Sequence, residues 1–450
     1  MAALKVVILG GGESGVGAAL LAKAKGFDVF LSDKGLLTEP YRHTLQTAGI
    51  AFEEQQHTEE RILDATEVIK SPGIPGTAPL VQKLRAQGTP VISEIEFAAR
   101  YTKAKLIGIT GSNGKTTTTL LTYHLLKTAG LSVGLAGNVG DSFAGQVIDD
   151  QFDYFALELS SFQLDDMYDT HLDVMVLLNI TPDHLDRYEY NFQNYVASKF
   201  RILQHARPAD DFIYFAESQP IVTELAKRNP AVHTLPISLD ITVPEGGYLA
   251  DGQLHAQNRN SVFTMLQAET TLRGPHNAIN MLAAVLAAQS VGVSNEAIAK
   301  GLKTFENAAH RLEPTGTING VQFINDSKAT NVDSVFYALS SMEAPVIWIA
   351  GGLDKGNDYD QLDALVRHKV KKLICLGVDN HKLVDYFAGK VPSIVETQAI
   401  QEAVAMGMAS AAPGDVVLLS PACASFDLFK NYQDRGDQFK AAVKRLMDDV

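Results

Sequence analysis

Cysteine is almost missing from this 450-residue chain: only Cys375 and Cys423 occur, each in an apolar setting. Two isolated thiols exclude a disulfide framework and a cysteine-based zinc site. An excess of positive charge is also missing. The formal net charge is −14, which argues against a general nucleic-acid binder but leaves room for a local basic pocket that takes phosphate. No apolar run is long enough to span a membrane. The first residues carry no apolar h-region with a cleavage site and lead straight into the strand-like Lys5-Val6-Val7-Ile8-Leu9. A cytoplasmic protein is therefore expected. Hydrophobic residues make up 46% and charged residues 20%, which suits a globular chain with real cores. This length suggests about three domains.

The most informative stretch is Gly111-Ser112-Asn113-Gly114-Lys115-Thr116-Thr117. The apolar run Leu106–Ile109 precedes it and Leu120–Leu126 follows it, so a Gly-rich turn joins a buried strand to a helix. That is the layout of a phosphate-binding P-loop. Gly111 and Gly114 let backbone N–H groups face an anion, and the helix N-terminus adds a favourable dipole. Lys115 would reach the outer phosphates and the Thr116 hydroxyl would hold Mg²⁺. One departure is visible: the strict pattern places Gly where Ile109 stands. The competing reading is a turn that caps an ordinary helix.

Residues 1–97 read as a Rossmann-like domain. Val6–Leu9 leads into Gly10-Gly11-Gly12-Glu13-Ser14-Gly15, a G-x-G-x-x-G, then a helix and a second strand ending near Asp33. Asp33 stands where a carboxylate meets a ribose hydroxyl. The turn alone names no ligand. Ser71-Pro72-Gly73-Ile74-Pro75 follows another strand, on the edge where open α/β sheets bind ligands.

Residues 98–306 read as a central ATP-binding α/β domain. Tyr154–Leu157 ends in Glu158, a hard-oxygen ligand for a metal beside the phosphates or, alternatively, a solvated strand-end residue. Val174–Leu178 ends in a polar loop that carries His184, a metal ligand, a substrate contact or simply an exposed histidine. Lys199 sits in a helical run, and spacing does not separate it from a surface lysine. Glu245-Gly246-Gly247 and Ala250-Asp251-Gly252 suggest tight turns in a small antiparallel ribbon. Asn277 and Asn280 share the first turn of a long helix, where they could meet an adenine edge or cap the helix.

Residues 307–450 read as a second Rossmann-like unit, with strands alternating with helices and polar residues gathered after the strands. Arg311 lies at the join between domains. It could reach a phosphate held by the preceding domain, or be a plain linker residue.

Taken together, Gly-Ser-Asn-Gly-Lys-Thr-Thr-Thr, Glu158 with Ser-Ser-Phe-Gln, Thr-Pro-Asp-His-Leu-Asp-Arg, Gly-Pro-His-Asn-Ala-Ile-Asn and His-Arg-Leu-Glu resemble the Mur ligase superfamily from end to end. Asn325–Asn331 and Ser420–Gly436 carry a finer resemblance, to its D-glutamate-adding ligases. The Gly-Gly-Gly-Glu-Ser-Gly turn is more glycine-rich than that family's pattern.

The resemblance implies a three-domain α/β enzyme that joins D-glutamate to UDP-N-acetylmuramoyl-L-alanine through an acyl phosphate, driven by ATP, in peptidoglycan synthesis. It implies two Mg²⁺ sites, one at Thr116 and Glu158, the other at His184 and a carbamylated Lys199. Lys115 and Arg311 would neutralise the γ-phosphate. Gly111, Asn113, Gly114 and Thr117 would complete the phosphate loop, with Asn277 and Asn280 at adenine and Asp326 at the ribose. Ser14, Gly15, Asp33, Lys34 and Gly73 would hold the uridine nucleotide. Asn138, Ser160, Gln163 and His184 would face the rest of that substrate. Lys328, Thr330, Lys355, Ser425, Phe426 and Tyr432 would surround D-glutamate. A monomer with no nucleic-acid partner is expected. The rival readings are another Mur-type ligase, folylpolyglutamate synthase, a P-loop ATPase switch, and an oxidoreductase using the first Gly-rich turn for NAD.

Overall fold

The computed structural model describes residues 4–448. Three separate sheets give a three-domain α/β architecture. The first sheet holds β1 (Lys5–Leu9), β2 (Asp28–Ser32), β3 (Ala51–Glu53), β4 (Glu67–Lys70) and β5 (Val91–Ile92), in the order β3-β2-β1-β4-β5. All its pairs are parallel, and the order is that of a Rossmann half.

The second sheet holds β6 (Lys105–Thr110), β7 (Val133–Gly137), β8 (Tyr154–Glu158), β9 (Val174–Leu177), β10 (Asp211–Phe215), β11 (His233–Ser238), β12 (Gly246–Ala250), β13 (Gln253–Gln257) and β14 (Val262–Leu266). Its order is β14-β13-β12-β11-β10-β9-β6-β8-β7. β6 lies inside the sheet and is buried beyond Lys105, as a continuous apolar run requires when helices cover both faces.

The ribbon β12-β13-β14 is antiparallel and extends this sheet. Here the sequence reading needs correction. Glu245-Gly246-Gly247 is not a turn, because Gly246 and Gly247 begin β12. Gly246 has φ +123°, and a Cβ on it would stand 2.1 Å from the Pro236 carbonyl oxygen. Gly246 serves a close approach of two strands, and Gly247 lets the strand pack on Leu282 of the helix Pro275–Ser290, 3.1 Å from an added Cβ; neither makes a reversal.

The third sheet holds β15 (Glu313–Ile318), β16 (Val321–Asn325), β17 (Val346–Ala350), β18 (Val370–Leu376), β19 (Ile394–Thr397) and β20 (Val416–Leu419), in the order β15-β16-β20-β17-β18-β19. Only β15 runs antiparallel.

The chain forms two compact units. One runs to Leu272 and includes Asn277–Phe305; the other joins Arg273–His276 to the residues from Glu306 onward. Within the first unit a single hydrophobic cluster runs through both sheets, with Ile8 and Val16 on one side and Phe143 and Phe155 on the other. The helices Glu13–Ala24 and Phe143–Val147 meet at Gly17, where an added Cβ would stand 1.9 Å from Ser142 Oγ. The second unit packs its sheet between two clusters, one around Trp348 and one around Phe439. Among the described residues no helix is long and apolar enough to cross a membrane.

Candidate active site

In the first unit the site grows from the tip of β6. Gly111 (φ +155°) and Gly114 (φ +85°) turn the chain into the helix Lys115–Thr128. A side chain on Gly114 would collide with Asn280 Oδ1 at 2.4 Å. Both glycines are therefore set by conformation, and Gly114 also by crowding. Asn179, just past β9, braces the loop: it accepts from the Asn113 N–H at 2.8 Å and donates to the Asn113 carbonyl at 3.1 Å. The Ser112 hydroxyl donates to the Thr181 carbonyl and sits 3.2 Å from the Tyr195 hydroxyl.

Two lysines meet on one carbonyl. Lys115 Nζ donates to the Gly111 oxygen at 2.8 Å, and Lys199 Nζ donates to the same oxygen at 2.9 Å. Lys199 is 1% exposed. Burial, and after it the Lys115 charge, push its amine well below the usual lysine range. The bland reading of Lys199 as a surface lysine fails on that burial.

Glu158 ends β8 and pairs in register with Ile109. Asn138 donates to its Oε1 at 2.9 Å, while Oε2 is buried without a hydrogen-bond partner. A buried carboxylate oxygen left in that state is costly unless something cationic meets it. Ser160 and Gln163 form a capping box on the helix Ser161–Asp165. His184 is half-exposed, left-handed at φ +51°, and edge-on to Phe162 at 5.2 Å.

Asn277 and Asn280 are buried and bonded to each other, and Thr118 Oγ1 donates to Asn280 at 3.2 Å. They brace the P-loop helix from behind. Thr116 and Thr117 are buried in its first turn.

A second cleft in this unit, of about 760 Å³, is lined by Ser14, Asp33, Lys34, Ser71, Gly73 and Ile74 among others. Gly15 sits behind it, where a Cβ would stand 1.9 Å from the Gly10 carbonyl oxygen. The Asp33 carboxylate accepts from the Gly11 and Gly35 N–H groups, so it shapes the turn as well as facing the cleft.

In the second unit, the predicted D-glutamate residues gather at the sheet's carboxyl edge. Lys328 and Thr330 follow β16, Lys355 follows β17, and Ser425 and Phe426 follow β20. Tyr432 opens the last helix, and Lys328 Nζ lies 5.6 Å from the centre of its ring. Lys355 is exposed and Phe426 is 70% exposed, while Ser425 is buried. Leu353 and Ala424 exchange backbone hydrogen bonds that zip two of these loops together.

Sequence reasoning missed Arg435. It is 1% exposed and donates to Ser327 and to the carbonyls of Gly351 and Cys423, which lie on three different loops. Asp326 is buried, accepts from Ser420 Oγ and the Leu312 N–H, and is pushed up to about 7 by burial against the pull of Arg311. Arg311 Nε is itself buried without a partner.

Profiles of known families match the chain as a MurD N-terminal domain over residues 5–79, a Mur ligase middle domain over 109–288, and a Mur ligase glutamate ligase domain over 310–423. The UDP-N-acetylmuramoylalanine–D-glutamate ligase of Cytophaga hutchinsonii is 54% identical over 447 residues, covering 98% of this chain and 99% of that protein. The enzyme of the same name from Bacteroides fragilis is 51% identical over 445 residues, covering 98% and 100%.

Among solved structures, a pseudomurein peptide ligase type C from Methanothermus fervidus superposes with a TM-score of 0.62 at 18% identity, covering 98% of this chain and 100% of that one. The UDP-N-acetylmuramate–alanine ligase of Thermotoga maritima gives 0.61 at 18% identity, with coverage of 99% and 100%. At such identity the superpositions speak for the fold alone. Full-length identity above one half is a different matter, and on it the chain belongs to the Mur ligase family, on the branch of the UDP-N-acetylmuramoylalanine–D-glutamate ligases.

Proposed function

We propose that this chain is an ATP-dependent ligase that adds D-glutamate to UDP-N-acetylmuramoyl-L-alanine in peptidoglycan precursor synthesis. The relatives' shared name supplies the substrates. The geometric observation that carries the reading is the meeting of Lys115 and Lys199 on the Gly111 carbonyl, next to a carboxylate with an unsatisfied oxygen.

The chemistry explains such a site. A carboxylate oxygen of the acceptor attacks the γ-phosphorus, the bond from that phosphorus to the bridging oxygen breaks, and ADP leaves. The neutral amine of D-glutamate then adds to the acyl phosphate, and the tetrahedral intermediate expels phosphate and closes the amide. Both reactants of the first step are anions, so the site needs concentrated positive charge. Lys115 and Arg311 would supply it at the γ-phosphate. Gly111, Asn113, Gly114 and Thr117 would cradle the triphosphate, with Asn277 and Asn280 near adenine and Asp326 near the ribose. Mg²⁺ fits the buried, unsatisfied Glu158 oxygen, and Thr116 with Glu158 would hold one ion. His184 with Lys199 as its carbamate would hold a second. When bound, these ions neutralise phosphate charge and polarise the transferred group.

The lowered amine of Lys199 favours the neutral form that attacks CO₂, forming an N–C bond and releasing a proton. A carbamate replaces a charge that repels metal by one that binds it.

Ser14, Gly15, Asp33, Lys34 and Gly73 would take the uridine nucleotide in the 760 Å³ cleft. Asn138, Ser160, Gln163 and His184 would face the muramoyl end. Lys328, Thr330, Lys355, Ser425, Phe426 and Tyr432 would hold D-glutamate. Residues 1–97, 98–306 and 307–450 would be the corresponding domains, in a cytoplasmic monomer.

The test is trapping with hydroxylamine. ATP and the UDP acceptor without D-glutamate should yield an acceptor hydroxamate and ADP. ADP release with no hydroxamate would remove the acyl phosphate from the reaction.

A further inference from the structure

A buried ionic knot joins the wall of the proposed uridine cleft to the helix Ser161–Asp165, which follows the strand tip at Glu158. Lys70, the last residue of β4, and Asp166, the residue that caps the helix Ser161–Asp165, form an ion pair at 2.9 Å with both side chains 3% exposed. Lys70 Nζ also donates to the Ile74 carbonyl at 2.8 Å and the Ser71 carbonyl at 3.3 Å. Arg85 donates to the other Asp166 oxygen at 2.7 Å from a half-exposed position. The Asp166 carbonyl accepts from the Ser93 N–H at 2.8 Å.

Ser71 and Ile74 belong to the five-residue turn that forms one wall of the cleft. At its other end the short helix is capped by Ser160, two residues after Glu158.

A buried lysine–aspartate pair contributes little net stability, since desolvation offsets most of its attraction. A well-packed apolar pair would hold the two sheets together as well. What the ion pair adds is direction: a single ammonium fixes two carbonyls of the cleft wall and the carboxylate that caps the helix Ser161–Asp165 at once.

We infer that Lys70, Asp166 and Arg85 are positioning residues for the acceptor. They hold the cleft wall at a fixed offset from the strand tip that carries Glu158, so that a substrate anchored by its nucleotide presents its far carboxylate at the phosphate loop. The inference rests on the uridine reading of the cleft. None of the three residues touches the reacting atoms; they act through the turn 71–75.

The variants Lys70→Met and Lys70→Met with Asp166→Asn separate positioning from folding. Lys70→Met leaves a buried carboxylate with only Arg85, so it loses stability; the double variant removes that charge and recovers it. Both should raise the KM for UDP-N-acetylmuramoyl-L-alanine by about tenfold, the scale of one coupled contact network. The KM for ATP should stay within about twofold. A double variant with normal melting and a normal acceptor KM would overturn the tether.

A second measurement uses the unmutated chain. Saturating UDP should slow amide exchange in the turn 71–75 and also in 161–167. Slowing confined to the turn would overturn the tether while leaving the uridine reading intact. Failure of UDP to bind at all would remove that reading and the tether with it.

Discussion

At the scale of single residues, the site depends on where charges are buried. Lys199 has lost its water and faces another ammonium, so its neutral form is favoured. Lys199→Ala should lower turnover by at least about a hundredfold, the usual cost of removing an electrostatic stabiliser. Short carboxylic acids should restore part of it by filling the vacated ligand position, in a phosphate-release assay. An alanine variant with full activity would falsify the proposed carbamate.

Glu94 offers a cleaner titration. Burial pushes its carboxyl up to about 7, against hydrogen bonds from the Ala144 N–H and Ser142 Oγ. An acid raised on folding keeps a proton that the unfolded chain has already lost. Its cost to stability is therefore absent below the ordinary value of 4.5, grows as pH rises, and is complete above about 7. Glu94→Gln should raise the melting temperature at about pH 8 and change it little at about pH 4. Equal effects at both would show that Glu94 ionises normally.

At the scale of elements, what the sequence made legible was local. The strand–turn–helix at Gly111–Thr117 and the glycine turn before Ser14 could be read because their parts are adjacent in the chain. The strand tip at Glu158 and the turn that carries Gly73 could be read because apolar runs end at or just before them. What could not be read depends on long-range meetings. Asn179 bracing Asn113, Arg435 gathering three loops, and Lys70 meeting Asp166 join residues far apart in sequence, and no local pattern announces them.

Strand β11 was also missed, because Pro236 stands in it; proline weakens any strand reading. β3 and β19 are short peripheral strands with little apolar signal.

Gly17 tests an element contact directly. Gly17→Ala should separate the helices Glu13–Ala24 and Phe143–Val147, because its Cβ would fall 1.9 Å from Ser142 Oγ and 3.1 Å from the Gly145 nitrogen. The expected loss is about 1–3 kcal/mol, the range for overpacking, measured by urea unfolding. An unchanged midpoint would mean that the two helices part without cost.

At the scale of the whole molecule, the chain has two compact units, with the first two sheets sharing one core. Calorimetry should therefore resolve two transitions, and UDP should raise only that of the unit containing the proposed uridine cleft. A single transition that moves as a whole with UDP would contradict this division.

Product analysis across a panel of substrates tests the proposed reaction most directly. Purified protein is given ATP, Mg²⁺, several UDP-muramoyl acceptors and a set of D- and L-amino acids, with phosphate release followed and products weighed by mass spectrometry. Release is expected only with UDP-N-acetylmuramoyl-L-alanine and D-glutamate together, one phosphate for each amide formed. Release that ignores the amino acid, or an amide formed with a different amino acid or acceptor, would contradict it.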